Sequence, residues 1–386
     1  MRRRKLLFLV TEDWYFCSHR LPVARAAHAA GFEVIVATRV RAHGDRIRQE
    51  GFAVHSIAWR RRGDGLLGAY RAISEIAQVY RAEQPDLIHH IALKPVLFGG
   101  IARRLAFGAS ADAPVVVDAI TGFGSAFSHT SLAGRSRRLW LGLYLRLMKG
   151  RERWIIVQNE EDRAALAKAM ADRARIVMIK GSGIDTTHFS PIPDPGSAVV
   201  TVAVVSRMLR AKGVLDAIAA TRLLRERGLP IELRLAGPTD PDNRGSLNAE
   251  FLTSLSAEPG IRWLGPVADV RTVWRCAAIA LLPSTYGEGV PKALLEAAAC
   301  SRPIIATDVP GCREVVRPGE TGILVPPRDI PRLAAAIAEL ARDSGRRAAM
   351  GRAGRALIER AFAENIVAQE TLAIYEAALH EKAGQK

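Results

Sequence analysis

The run Leu281-Leu282-Pro283-Ser284-Thr285-Tyr286-Gly287-Glu288-Gly289-Val290-Pro291-Lys292-Ala293-Leu294-Leu295-Glu296-Ala297 decides the reading of the fold. The apolar segment 278–283 has the length and composition of a buried strand. A loop of small residues follows it. Pro291 then stands where the first helical residue belongs, a favoured place because that position needs no N–H donor. A strand that leads through a short loop into a helix is half of a βαβ unit. The helix would aim its free N–H groups at the strand exit, which suits a diphosphate. Gly287 and Gly289 would let the backbone approach a ligand closely.

Working outward, the same alternation fills the chain. Strand-like runs are expected at residues 5–10, 33–38, 54–59, 87–91, 114–120, 154–158 and 176–179. The second half has 199–206, 231–236, 261–264, 278–283, 303–307 and 322–325. Helical patterns lie between them at 20–30, 66–83, 212–226, 291–300, 330–342 and 345–362. Strands spaced by helices of this length predict parallel sheets covered on both faces. Pro191-Ile192-Pro193-Asp194-Pro195-Gly196-Ser197 can form neither a helix nor a central strand, and reads as a linker. The chain therefore divides into an acceptor-side domain at 1–190, a donor-side domain at 191–365, and a C-terminal helix at 366–386 expected to pack back toward the first.

The chain of 386 residues carries a net charge of +16, which implies an anionic partner without choosing one. Cys17, Cys276, Cys300 and Cys312 show no zinc or redox spacing and read as reduced thiols. Met1-Arg2-Arg3-Arg4-Lys5 precedes an apolar run too short for a signal core, and no stretch is long enough to cross a membrane. A cytoplasmic protein, peripheral on the inner face of the cell membrane, is expected.

Glu288 and Glu296 are the chemically suggestive pair. A carboxylate accepts hydrogen bonds from two adjacent hydroxyls, so two of them could hold a sugar and a ribose. Two isolated glutamates would read instead as a helix-dipole partner and a surface charge. The strand–loop–helix setting favours the binding role. The pattern resembles the two-glutamate signature of the retaining family-4 glycosyltransferases of GT-B fold. That resemblance implies two Rossmann-like domains facing across a cleft. Glu288 would contact the donor sugar and Glu296 the ribose hydroxyls, with Gly287, Gly289, Val290, Pro291 and Leu295 completing the donor site. The segment Val205 to Gly213 is similar to the family's Arg and Lys-Gly pair, so Arg207 and Lys212 would neutralise the departing diphosphate, with Glu288, Arg207 and Lys212 as the catalytic set. Gly181-Ser182-Gly183-Ile184-Asp185 with Phe189, and the loops at 307–314 and 319–325, resemble further family segments. The resemblance is strongest over 175–365.

The first half is less specific. His89 or His90, at a strand exit, could reach a sugar, although the two must point to opposite faces. Both also fit structural histidines. Lys94, beside a helix start, suits an acceptor phosphate or is a solvated surface lysine. Thr121-Gly122-Phe123-Gly124 and Trp14-Tyr15-Phe16-Cys17-Ser18-His19-Arg20 read as strand-exit loops. These features look like the branch that extends undecaprenyl-pyrophosphate-linked sugars, which implies a lipid-linked saccharide acceptor (polyprenyl pyrophosphate). The stretch 134–151, apolar in its centre and basic at its ends, together with Arg60-Arg61-Arg62, points to an anionic membrane surface.

The resulting expectation is retaining transfer from a nucleotide-sugar donor, UDP-linked by resemblance, in polysaccharide biosynthesis. No cofactor and no metal are expected, the basic residues taking the place of a bound divalent ion, and no nucleic-acid module appears. Two rivals remain at this point. A sugar-nucleotide epimerase of the same fold needs an added acid/base pair that cannot be located. A non-catalytic basic binding protein explains the charge and leaves the ordered motifs unexplained.

Overall fold

The computed structural model describes residues 2–58, 65–110, 112–122, 153–169, 175–287 and 289–384. Among the described residues thirteen strands fall in two sheets. In the first unit they are β1 (Lys5–Glu12), β2 (Glu33–Arg39), β3 (Ala53–Ser56), β4 (Leu87–Ile91), β5 (Val115–Ile120), β6 (Arg153–Val157) and β7 (Ile176–Met178). In the second they are β8 (Val200–Val205), β9 (Ile231–Ala236), β10 (Ile261–Trp263), β11 (Ile279–Leu282), β12 (Ile304–Thr307) and β13 (Gly322–Val325). The spatial orders are β3-β2-β1-β4-β5-β6-β7 and β10-β9-β8-β11-β12-β13. Every pairing among them is parallel.

The apolar runs explain this. β4, β5, β11 and β12 are buried at every position, as strands must be when helices cover both faces. The helix Ile330–Arg342 starts with Asp329 accepting from the Arg332 amide and Pro331 in its first turn, and buries Leu333, Ile337 and Leu340 against the second sheet. The opposite face of that sheet is closed by the helices Lys292–Ala299 and Ser344–Ala361.

The two compact units are residues 1–183 with 364–386, and 184–363. The chain crosses at Gly183/Ile184, before the proline-rich stretch read as a linker, and the segment from Thr186 to Asp194 is strapped to the second unit by three arginines. Arg302, 1% exposed, donates to the carbonyls of Ile192 and Pro193. Arg347 pairs with Asp194 at 2.8 Å. Arg355 donates to the carbonyls of Thr186 and Phe189 at 2.9 and 2.5 Å. The helix Glu364–Gly384 lies in the first unit, with Tyr375 fully buried and Lys382 donating to the Ala113 carbonyl at 2.6 Å.

One expectation is corrected. Trp14 to Arg20 is not a loop: Asp13–His19 is helical. The reason lies in Asp13, whose buried carboxylate accepts the amides of Trp14, Arg41 and His43 and so fixes the helix start against the exit of β2.

Candidate functional site

In a sheet of this order the loops diverge where the strand sequence reverses, and the carboxyl edge there forms the ligand crevice. In the second unit that place lies between β8 and β11. After β8 the chain runs through Ser206 and Arg207 into a 3-10 turn, Arg210–Lys212. After β11 it runs through Pro283 and Gly287 to the helix Lys292–Ala299. The two exits are tied together: the Thr285 amide and Thr285 Oγ1 both donate to the Ala211 carbonyl, at 3.0 and 3.3 Å. Gly213, at φ +70°, makes the crossing possible, because a Cβ there would stand 1.8 Å from the Pro283 carbonyl oxygen. Arg207, Lys212 and the Gly287 loop are thereby brought to one sheet edge.

Pro291 is the N-cap residue and not the first helical residue, with φ −70° and ψ 121°; no side chain caps this helix start. Its carbonyl accepts from the Leu294 amide at 3.1 Å, as a cap carbonyl does. The helix dipole at this start favours an anion. Gly287 passes close to Pro310, whose Cδ would lie 3.3 Å from an added Cβ. Val290 and Leu295 turn inward, 8% and 0% exposed, and pack with Ile184, Phe189 and Trp274. Their part in the site is thus to anchor the loop and helix from below. Glu288 lies outside the described residues.

Glu296 is the one carboxylate of this helix, and it is partly buried. Burial pushes its carboxyl up to about 7, against the pull of Lys292 one turn earlier. The Arg207 guanidinium, about a third exposed, donates through Nη1 to Asp240 Oδ2 at 2.5 Å. The sequence reading missed Asp240, since an aspartate within Pro238-Thr239-Asp240-Pro241-Asp242-Asn243 looks like ordinary turn chemistry.

The first unit holds its candidates differently. His90 is fully buried: Nδ1 meets Asp118 Oδ1 at 2.6 Å, Nε2 meets the Tyr80 hydroxyl at 2.9 Å, and Arg153 pairs with Asp118 at 3.1 Å. A neutral imidazole donating through Nδ1 and accepting at Nε2 satisfies these contacts. Burial holds its pKa down in spite of the Asp118 carboxylate. His89 is also fully buried, with Nδ1 2.5 Å from the Tyr375 hydroxyl. Burial, aided by Arg20, keeps it neutral. Neither histidine is placed to touch a sugar, and both belong to the interior. Lys94 lies in the first turn of the helix Leu93–Phe107, its Nζ 5.4 Å from the centre of the Phe98 ring. The residue before that helix, Ala92, has φ +72° and ψ 164°, a region that non-glycine residues seldom adopt and that gathers at functional sites. Gly122 is described, at φ +113°, whereas Phe123, Gly124 and the stretch 134–151 lie outside the described residues. Among the described residues no group of three or more His, Cys, Asp or Glu side chains is gathered as metal ligands would be.

Two doubly wound parallel sheets of this order, the second with a basic strand exit beside an open helix start, define the GT-B class of glycosyltransferase architecture. Comparison with known proteins agrees. Residues 199–343 match the family of group 1 glycosyl transferases, and residues 5–159 match the glycosyl transferase 4-like family. The chain belongs to the group 1 glycosyltransferases of family 4. It is 30% identical over 210 residues to the putative colanic acid biosynthesis glycosyltransferase WcaL of Escherichia coli, covering 52% of this chain and 51% of that one. The chain thus spans about half the length of that relative. A second relative aligns over 92% of this chain and 94% of its own, at 24% identity. It is the N,N'-diacetylbacillosaminyl-diphospho-undecaprenol alpha-1,3-N-acetylgalactosaminyltransferase of Campylobacter jejuni. Among solved structures, Anabaena HepE in complex with UDP superimposes with a TM-score of 0.76 at 19% identity, covering 97% of this chain and all of that one.

Proposed function

We propose that the protein transfers a sugar, with retention at the anomeric carbon, from a UDP-sugar to a lipid-linked saccharide acceptor in polysaccharide biosynthesis. The observation that carries this is the carboxyl edge of β8 and β11, where Arg207, the Lys212 turn, an uncapped helix start and Glu296 share one sheet edge. The names of the relatives support the acceptor class: one acts on a diphospho-undecaprenol sugar, and another is assigned to colanic acid biosynthesis. HepE binds UDP, which supports the nucleotide.

In the reaction the bond from the anomeric carbon to the diphosphate oxygen breaks and a bond to the acceptor oxygen forms on the same face. The acceptor proton passes to the departing phosphate oxygen. Charge grows on the diphosphate as it leaves, and preorganised donors aimed at that charge are the largest source of rate in such a step. Arg207, Lys212 and the amides of Lys292 and Ala293 supply them. Glu296 holds the ribose diol and Glu288 the donor sugar. The basic groups take the place a divalent ion would otherwise fill, so chelation with EDTA leaves turnover unchanged.

The acceptor places the protein at an anionic inner membrane face. No described helix is long and apolar enough to cross a membrane. The helix Gly65–Glu83 exposes Leu67 (74%) and Tyr70 (68%) on one face beside exposed Arg71. An apolar pair rimmed by arginine suits the boundary between headgroups and acyl chains. In the sequence Arg60-Arg61-Arg62 comes just before it.

Thermal melts with UDP-, GDP- and ADP-sugars test the donor. A ligand at a hundred times its Kd stabilises the native state by about 2.7 kcal/mol. UDP-sugars raise the midpoint; silence from all three classes refutes the donor reading. Glu288→Gln abolishes transfer, and turnover retained in that variant removes Glu288 from the mechanism. An inverted product anomer, seen by proton NMR, refutes retention.

A further inference from the structure

The loop after β9 holds Arg207 from behind. Asp240, its side chain 9% exposed, accepts from Nη1 at 2.5 Å. Asp240 is itself held in place: its amide donates to Ser246 Oγ at 2.9 Å, and its carbonyl accepts the Asn243 amide at 2.8 Å. The loop is laced to the segment that carries Arg207. The Met208 amide donates to the Pro238 carbonyl at 2.9 Å, the Leu247 amide to the Met208 carbonyl at 2.8 Å, and the Arg210 amide to the Gly245 carbonyl at 2.8 Å. Met208 and Leu209, 0% and 2% exposed, sink into the core on the far side of the arginine. At Gly237, φ +138°, a Cβ would stand 1.9 Å from the Ser206 carbonyl oxygen, so the two segments touch backbone to backbone. The acceptor for Arg207 thus sits on a rigid frame that moves with β8.

An unanchored arginine at a strand exit samples many rotamers, and ordering it on ligand binding opposes affinity. A guanidinium is a planar fork, and fixing one terminal nitrogen sets the direction of the rest. Asp240 takes Nη1 and leaves the Nε and Nη2 side of the fork to a ligand. Resting on the proposed role of Arg207, we infer that Asp240 is a positioning residue that aims the Arg207 guanidinium at the donor diphosphate.

The opposite possibility is physically definite. A carboxylate beside Arg207 also cancels part of its charge, and if that effect ruled, removing Asp240 would tighten diphosphate binding. The sign of the change therefore decides. The probes are UDP and uridine, titrated calorimetrically into the full-length protein. Asp240→Ala weakens UDP about tenfold, in the range expected when a preorganised charge-assisted contact is loosened, and leaves uridine unchanged. Asp240→Asn, which keeps an oxygen within reach of Nη1, recovers most of that loss. In an Arg207→Ala background Asp240→Ala has no further effect, because its action runs through the guanidinium. Asp240→Ser, which keeps turn chemistry while withdrawing the acceptor, carries the same expectation should the alanine variant fail to fold.

UDP binding that is equal or tighter in Asp240→Ala overturns the proposal. So does a loss of the same size in the Arg207→Ala background, which would mark Asp240 as structural only. If Arg207→Ala itself leaves UDP binding intact, the role of Arg207 falls, and that result is separate from the first two.

Discussion

Apart from the extra edge strand β7 of the first sheet, the two sheets share one strand order, and they differ in what their central strands release at the carboxyl edge. In the second unit, β8 and β11 end in loops with glycine at the tight places, an Arg207 about a third exposed and a partly buried Glu296. In the first unit, β4 carries His89 and His90, and both are sealed inside by Tyr375, Tyr80 and Asp118. The same topology thus leaves polar side chains at the carboxyl edge in one unit and buries its titratable groups in the other. The difference lies in side-chain direction. Residues 89 and 90 are mid-strand positions, paired with Phe8 and Leu9 of β1, so their side chains stand over the sheet faces where helices cover them. Arg207 and Glu296 come after a strand or on the helix that follows one, where side chains are not committed to a sheet face.

The sharpest way to break this contrast is at the glycine that lets the second edge close. Gly213→Ala adds a Cβ 1.8 Å from the Pro283 oxygen in a left-handed conformation, so Pro283 or the Arg210–Lys212 turn must shift. A loss of about 2–4 kcal/mol is expected, with the melting midpoint lowered by roughly 5–15 °C. Gly100→Ala in the first unit should cost less, because its new methyl meets a side-chain end, the buried Arg153 guanidinium at 2.8 Å, rather than backbone. Equal losses in the two variants would show that the strand-exit contact at Gly213 is not special.

His90→Leu asks whether the first edge is interior, as its burial says. The substitution strands Tyr80 and Asp118 without their partner, at a cost of about 2–4 kcal/mol, while turnover per folded molecule is kept. The pH dependence follows from the direction of the shift. Folding lowers the His90 pKa, so below about 6.5 the unfolded chain takes up a proton that the native state refuses. Stability supported by neutral His90 is complete above that pH and declines as pH falls toward the lowered native value. Urea midpoints measured from pH 8 to pH 5 should fall less steeply in His90→Leu than in the parent protein. Identical slopes would mean that His90 is not the group responsible, and a collapse of turnover in folded protein would return it to the site.

These cases also show what a sequence discloses. Strands such as β8, β11 and β12 were legible because a strand buried on both faces is a largely unbroken apolar run. Arg207 and Glu296 were marked as candidates by their place after such runs. The helix Asp13–His19 was not, because Trp14, Tyr15 and Phe16 are weak helix formers and the carboxylate that starts it reaches residues 41 and 43. Asp240 was hidden for the same reason: its partner is 33 positions away in the chain. The net charge of +16 was read as surface signal, yet Arg302, Arg347 and Arg153 are buried and spend their donors on carbonyls and carboxylates of the chain itself. Local pattern fixes strands; long-range pairing decides which charged residue is a strap and which is a site.

Glu296 gives the finest test of the contrast, since a carboxyl near 7 can act as a switch only where a ligand reaches it. Folding raises its pKa from the ordinary value near 4.3 to about 7, so the native state holds a proton that the unfolded chain has released. Its contribution to stability is therefore present at low pH, declines from about pH 4.5 to about pH 7, and is constant above. A diol donates two hydrogen bonds to the ionised form, so donor binding selects the carboxylate. The ionised fraction rises about tenfold from pH 6 to pH 8, and the affinity for a UDP-sugar should rise with it. A UDP-sugar is the right probe because its doubly substituted diphosphate does not titrate in this range, whereas free UDP does. Glu296→Gln should bind the donor more weakly at pH 8, with an affinity that is flat across the same interval. A parent protein whose affinity is flat from pH 6 to pH 8, while Glu296→Gln still binds more weakly, would mean that the carboxyl is already ionised in the free protein and that bound ribose does not control its proton.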